Sequence, residues 1–329
     1  MSTDLLNISD LTTYFYTSRG IVKAVDGISL NIQSGESIGL VGESGSGKSV
    51  SALSIMRLVA SPPGRIVKGK ILLNGEDLLK KSEKEMREIR GNNIAMCFQD
   101  PMTFLNPVLR IGDQISEVIM LHQNLDKKEA FQKAVEAMEM VQIPSAAARA
   151  LDYPHHLSGG MRQRVLIASA IACNPELLIA DEPTTALDVI TQADMLDLLY
   201  DLRNEIDASF MLISHDLGIV AQTCDHIFVM YNGKILESGR VRDIFRDPLH
   251  PYTEGLLESL PRLHGEIRER LKAIPGMVAD PIRPPSGCRF HPRCQYAMDI
   301  CSEYEPEFKD MGNRRTVACF KINPLIMGG

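Results

Sequence analysis

At 329 residues the chain is long enough for one large domain and a smaller appendage, since domains run from about 50 to 250 residues. A hydrophobic fraction of 44% and a charged fraction of 23% are those of a globular protein, and no stretch reaches the roughly 18 uninterrupted apolar residues of a spanning helix. The net charge of −7 argues against nucleic acid as the main partner, because phosphate backbones are met by clustered Lys and Arg.

Met1 to Asp10 lacks the basic segment and apolar run of a secretory or transit signal, which predicts a reducing compartment. The text then reads as short strands at Leu5 to Ile8, Lys23 to Ile32, Ser37 to Val41 and Lys70 to Leu73, broken by Gly and Asn turns. Helical spacing follows over Ser51 to Val59, and a charged helix is expected around Ser82 to Arg90. After a strand at Ile94 to Phe98 the pattern is helical from Gly112 to Val141, and Ser158-Gly159-Gly160 opens a further helix through Ala172. Strands at Leu177 to Ala180 and Phe210 to Ile213 flank a helix from Ile190 to Asn204. A last pair, Ile227 to Met230 and Lys234 to Glu237, meets at Tyr231-Asn232-Gly233, the Asn-Gly signal of a tight hairpin. Strands alternating with helices predict a mainly parallel α/β sheet covered on both faces.

Beyond Gly239 the texture turns to Pro, His and Arg, with rigid connections at Pro275-Gly276 and Pro281 to Gly287. The expected organisation is therefore a large domain over 1–239 and an extension over 240–329, with a boundary near Gly239.

Gly42-Glu43-Ser44-Gly45-Ser46-Gly47-Lys48-Ser49 fits the phosphate loop, whose glycines let backbone N–H groups and a helix N-terminus close around phosphate oxygens. In that pattern Lys48 meets the β and γ phosphates and Ser49 offers its hydroxyl to Mg²⁺. The apolar run Leu177 to Ala180 delivers Asp181 and Glu182 at the carboxyl end of a buried strand, where α/β sheets bind ligands. Asp181 is suited to Mg²⁺, and Glu182 to polarising the water that attacks the γ-phosphate. Ser158 and the N–H groups of Gly159 and Gly160 at a helix start form a second phosphate site in a chain that already has one.

Leu157-Ser158-Gly159-Gly160-Met161-Arg162-Gln163-Arg164 resembles the signature of ABC ATPases, with Met161 where the consensus has Gln, a variant shared with peptide-importer ATPases. The other elements of that family stand in order: Gln99, then Ala186-Leu187-Asp188, then His215, and the resemblance covers about residues 5–240. It implies a P-loop NTPase core with an antiparallel β subdomain and a helical subdomain over about 101–164. It also implies a head-to-tail pair of ATPase domains, each signature closing on ATP held by the opposite phosphate loop. In this family Gln99 senses the γ-phosphate and Mg²⁺ and communicates with the membrane subunit. His215 contacts the γ-phosphate and positions the water with Glu182, while Asp188 shapes the dimer contact. Tyr14-Phe15-Tyr16 offers an aromatic for adenine; register favours Phe15, with a core role as the rival reading.

The segment His250-Pro251-Tyr252-Thr253, with Leu256, Leu257 and Leu260-Pro261, resembles ATPases of dipeptide and oligopeptide permeases. So does the run from Pro285 to Cys294 with Cys301 and Cys319, which extends the match over nearly the whole chain. The implied function is an ATPase on the cytoplasmic face of the membrane, partnered by two permease subunits and a second ATPase that is a related chain or another copy. An extracellular substrate-binding protein is the indirect partner. A DNA-repair or translation ATPase acting on nucleic acid, an iron–sulfur redox regulator, and an importer of nickel or another small solute are the rival functions.

Seven cysteines, an odd count in a reducing compartment, point away from a disulfide framework. Cys288, Cys294, Cys301 and Cys319 lie in a segment poor in aliphatic residues, which needs a cross-link in place of a large core. Their wide spacing favours a [4Fe–4S] cluster over zinc, whose structural sites use tight Cys pairs, with disulfides third. Cys97, Cys173 and Cys224 read as small core residues.

Overall fold

The computed structural model describes residues 4–184, 188–260 and 274–322. The chain divides into two compact units. One comprises residues 4–32, 38–79 and the chain from Ser214 onward, and the other residues 33–37 and 80–213.

The first unit begins with two 14-residue strands, Asp4–Thr17 and Gly20–Gln33. Asp4–Thr17 also pairs antiparallel with Gly64–Leu73, from Leu6 opposite Leu73 to Phe15 opposite Gly64. These strands are longer than the sequence pattern predicts. Asp10 sits at φ 53 beside a register shift, so the alternation is interrupted there while the β-branched and aromatic run Thr12 to Tyr16 carries the strand onward. The result is the expected antiparallel β element, completed by the two-residue strand Glu76–Asp77.

A second sheet in this unit starts from Ser37–Val41, buried at every position and parallel to His226–Tyr231, as a continuous apolar strand should be. His226–Tyr231 turns into Lys234–Arg240 through Asn232 at φ 42 and Gly233 at φ 81, the two left-handed residues that a type I′ hairpin requires. Lys234–Arg240 runs through the expected boundary at Gly239. It pairs on its outer side with Thr316–Val317, which pairs in turn with Lys309–Asp310. The extension thus adds two more antiparallel strands beyond the antiparallel hairpin of His226–Tyr231 and Lys234–Arg240.

Within Lys234–Arg240, Glu237 has no solvent exposure. Its carboxylate accepts from the N–H groups of Leu249 and His250, both at 2.9 Å, and from Arg315 Nη2 at 3.2 Å. All three donors lie beyond residue 240.

The second unit holds three adjacent parallel strands, Ile94–Cys97, Leu177–Asp181 and Ser209–Ser214, each buried along its length. Its core joins Ala95 and Leu178 on strands to Ile115, Ile119, Met138, Val165 and Leu198 on helices. The helical run predicted from Gly112 to Val141 is two helices, Ile111–Gln123 and Lys127–Met140. Asn124 closes the first in the left-handed region, and Asp126 opens the second through a capping box with Glu129. Leu125 between them keeps the apolar rhythm, which hides the break from a reading of periodicity.

A buried carboxylate stripped of its charged partner costs about 3–5 kcal/mol. Arg315→Met should therefore lower the chemical-denaturation stability of the full chain by about 3 kcal/mol. Glu237→Leu, which removes the charge as well, should cost less than Arg315→Met.

Candidate functional site

In the first unit the strand Ser37–Val41 ends at Gly42, and the helix Lys48–Ile55 begins six residues on. Gly42 (φ 154) and Gly47 (φ 108) hold conformations that L side chains rarely adopt. A Cβ at Gly42 would stand 2.0 Å from the Met230 carbonyl oxygen, and one at Gly47 would stand 2.1 Å from that of Ala24. The loop is therefore wedged against neighbouring backbone on its inner side, while Gly45 and Ser44 face outward.

No side chain caps the helix start, the end of a helix that attracts anions. Lys48 is 5% exposed, and its Nζ donates to the carbonyls of Gly42 at 2.8 Å and Glu43 at 3.1 Å. A buried ammonium resting on its own loop is ready to exchange a carbonyl for a phosphate oxygen. Ser46 Oγ is buried without a hydrogen-bond partner among the described residues, and Ser49 follows Lys48 in the first turn of the helix. The chemistry of this donor set suits a polyphosphate, with the Ser49 hydroxyl suited to its divalent cation.

Phe15 in the same unit lies half-buried, its ring near Gly64, where a Cβ would come within 2.9 Å of Phe15 Cε1. Its neighbour Tyr14 is committed elsewhere: the hydroxyl donates to Asp26 at 2.5 Å, and burial together with that carboxylate pushes it up to about 12. His215 is exposed, immediately after Ser209–Ser214 and before Asp216, the N-cap of the helix Leu217–Thr223.

In the second unit Asp181 is the buried last residue of Leu177–Asp181. Glu182 follows at φ 47, an unusual conformation for a non-glycine residue that turns the chain sharply out of the sheet. The Glu182 N–H still donates to the Ile213 carbonyl at 2.9 Å, and its Oε2 accepts from Gln99 Nε2 at 3.0 Å. Two residues 83 apart in sequence are thereby brought together.

Ser158 caps the helix Gly159–Ile171, its hydroxyl accepting from the Met161 N–H at 3.3 Å. Ser158 and Gly159 are exposed, and a Cβ on Gly159 would meet nothing within 4 Å, whereas Gly160 packs against Thr191. Asp188 caps Val189–Glu205, accepting from the Thr191 N–H at 3.0 Å and its hydroxyl at 2.8 Å. Ala186 and Leu187, and Pro261 of the extension motif, lie outside the described residues.

Cys288, Cys294, Cys301 and Cys319 line a single small cavity with His250, Phe290, Met298 and Phe320. None of the seven cysteines is in a disulfide, and among the described residues no group of three or more His, Cys, Asp or Glu side chains is arranged to hold a metal ion. The expected metal centre is thus not formed by the side chains as they stand. Their setting is apolar: burial pushes the Cys288 thiol up to about 12 and that of Cys319 up to about 11, and raises Cys294. Cys97 is a core residue as expected, its sulfur accepting from Gln163 Nε2 at 3.4 Å.

Residues 25–185 match the ABC transporter family, and residues 236–301 match the oligopeptide/dipeptide transporter C-terminal region. An oligopeptide transport ATP-binding protein, AppD of Bacillus subtilis, is 52% identical over 320 residues, 97% of each chain. The chain belongs to the ATP-binding proteins of the ABC transporter family. OppD of Escherichia coli, also an oligopeptide transport ATP-binding protein, is 48% identical over 96% of this chain and 93% of its own. Among solved structures, the dimeric post-hydrolysis state of the ATP-binding cassette MJ0796 bound to ADP and Pi superposes with a TM-score of 0.65 at 26% identity. It covers 72% of this chain and 99% of that one. Membership makes this ABC protein an ATPase, with the mixed sheets and helices of the P-loop fold. Among its described residues no helix is long and apolar enough to cross a membrane.

Contacts reach the phosphate loop from afar that the sequence does not reveal. Glu43 is held by Tyr252 and Arg293, more than 200 residues away, and no local pattern signals such a contact.

His250 is fully buried and neutral, its Nδ1 accepting from the Tyr252 N–H at 3.0 Å; burial, then Lys321, lowers it from 6.5 to about 3. The unfolded chain takes up a proton that the folded one refuses, so this group's stabilisation is full above pH 6.5 and is lost as pH falls toward 3. Melting profiles should therefore show a shallower acid loss below pH 6.5 for His250→Asn, which keeps an acceptor for the cap, than for the parent chain.

Proposed function

We propose that this chain is the ATP-hydrolysing subunit of an oligopeptide importer, attached to the cytoplasmic face of the membrane through two permease subunits. The observation that carries the reading is the joint match: a phosphate loop with a buried, carbonyl-held Lys48, in a chain alike over 97% of its length to an oligopeptide transport ATP-binding protein. Likeness of that extent, running through the extension, does not favour a nucleic-acid ATPase or a redox regulator.

In this reading the loop from Gly42 to Ser49 wraps the triphosphate, and Lys48 leaves its two carbonyls for the β and γ oxygens. Phe15 stacks on the adenine. Ser49, Asp181 and Gln99 would hold Mg²⁺, which when bound would neutralise charge developing on the transferred phosphoryl group. Glu182 takes the proton of the attacking water, and His215 positions that water against the γ-phosphate. The Gln99 amide, by holding Glu182 Oε2, keeps the carboxylate oriented until water replaces it.

Ser158, Gly159 and Gly160 close on the γ-phosphate held by a second ATPase subunit, a related chain or another copy, and Asp188 lines that contact. The exposure of Ser158 and Gly159 supports an external ligand for them. Binding would draw two ATPases together and hydrolysis would release them, driving the permease to deliver peptide from an extracellular binding protein. Glu182→Gln should cut turnover by about a hundredfold or more while leaving ATP binding intact. The loaded variant should pair with an ATPase subunit in sedimentation, and a strictly monomeric loaded variant would falsify the reading.

The four cysteines of the extension are the proposed ligands of an iron–sulfur cluster, zinc being the alternative. What supports this reading is that the four thiols line one cavity with Phe290, Met298 and Phe320, in a segment poor in core that a cluster would cross-link. Anaerobically purified protein should carry iron and acid-labile sulfide; stoichiometric zinc without sulfide would decide for the alternative.

A further inference from the structure

Glu43, second residue of the phosphate loop, is a junction. Its carbonyl accepts from the Ser46 N–H at 3.2 Å and from Lys48 Nζ at 3.1 Å. Its N–H donates to the Tyr252 hydroxyl at 2.9 Å. Its carboxylate takes both arms of Arg293, Nη1 to Oε2 at 2.6 Å and Nη2 to Oε1 at 3.0 Å.

The two outer partners are themselves fixed. Tyr252 has no solvent exposure and packs edge-on against Tyr231, ring centroids 4.8 Å apart, with Phe290 at 5.2 Å. The Arg293 side chain is 5% exposed; its Nε donates to the Pro275 carbonyl at 2.9 Å, and its guanidinium lies over the Tyr231 ring at 5.7 Å. A bidentate arginine in such a setting cannot swing without breaking several contacts. Fixing Glu43 at its N–H and carboxylate also fixes its carbonyl, one of the two oxygens on which Lys48 rests.

We infer that Tyr252 and Arg293 are positioning residues for the phosphate loop, acting through Glu43 to keep the loop open and Lys48 aimed before nucleotide arrives. This rests on the reading of the loop as the ATP site. Neither residue touches the nucleotide; each lowers the ordering cost of binding it. A surface loop without these anchors would have to be organised by the triphosphate itself.

The test uses the full-length chain, with ATP affinity by calorimetry, steady-state kinetics and thermal melting. Tyr252→Phe removes one hydroxyl, and Arg293→Met removes the ion pair while keeping bulk. Each should raise the dissociation constant and KM for ATP about tenfold, with kcat at saturating ATP unchanged. In a Glu43→Gln background the effect of Arg293→Met should shrink to about twofold or less, since the pair acts as one unit. Lys48→Ala is the control: if it binds ATP as tightly as the parent, the reading of the loop fails. If Lys48→Ala abolishes binding while Tyr252→Phe and Arg293→Met melt lower with unchanged affinity and KM, the two residues only stabilise the fold and the inference is overturned. Should Arg293→Met give no melting transition, Tyr252→Phe decides alone.

Discussion

A triphosphate must be gripped by backbone N–H groups, and backbone can present those groups only where it is bent tightly and held still. In this chain the bending comes from Gly42 and Gly47, pressed against the carbonyls of Met230 and Ala24. The holding comes from Lys48 within and from Glu43 at the rim. The strand hairpin behind the loop joins in, because the Gly233 N–H donates to the Ser46 carbonyl at 2.8 Å. Arg289 in turn donates to the Asn232 carbonyl and pairs with Asp26. A turn needed for sheet geometry is thus also a support for phosphate chemistry.

The extension stands in a particular relation to this loop. Arg289 and Arg293 each neighbour a cysteine of the thiol-lined cavity, Cys288 and Cys294, and each reaches into the support of residues 42–49. Asp26, despite burial that pushes its carboxyl up, is lowered overall by the Tyr14 hydroxyl and the charges of Arg289 and Lys234. Charge pairing across long sequence separations, beside the packing of Phe290 and Tyr252 on Tyr231, ties this segment in. That suits a stretch with few aliphatic side chains.

What was legible in the sequence was what is local. The phosphate loop, the Asn232-Gly233 hairpin, and the apolar run ending in Asp181-Glu182 each carry their physics within a few residues, and each could be read directly. Gln99 was legible only through the family pattern, and its contact with Glu182, 83 residues away, is set by the fold. Where one local signal was masked by another, the reading slipped: Leu125 sustained the apolar rhythm across the break that Asn124 and Asp126 make. Contacts set by packing alone, such as Arg293 on Glu43 or the amides on Glu237, left no trace in spacing or composition.

Glu237 has a consequence for anyone shortening this protein. A chain cut just after the hairpin would keep the acid and lose every donor that neutralises its burial, and it would bare the flank of a strand built to be covered. The natural place to trim therefore does not lie where the composition changes. A minimal cassette would need that position redesigned as apolar or shielded before it could stand alone in solution.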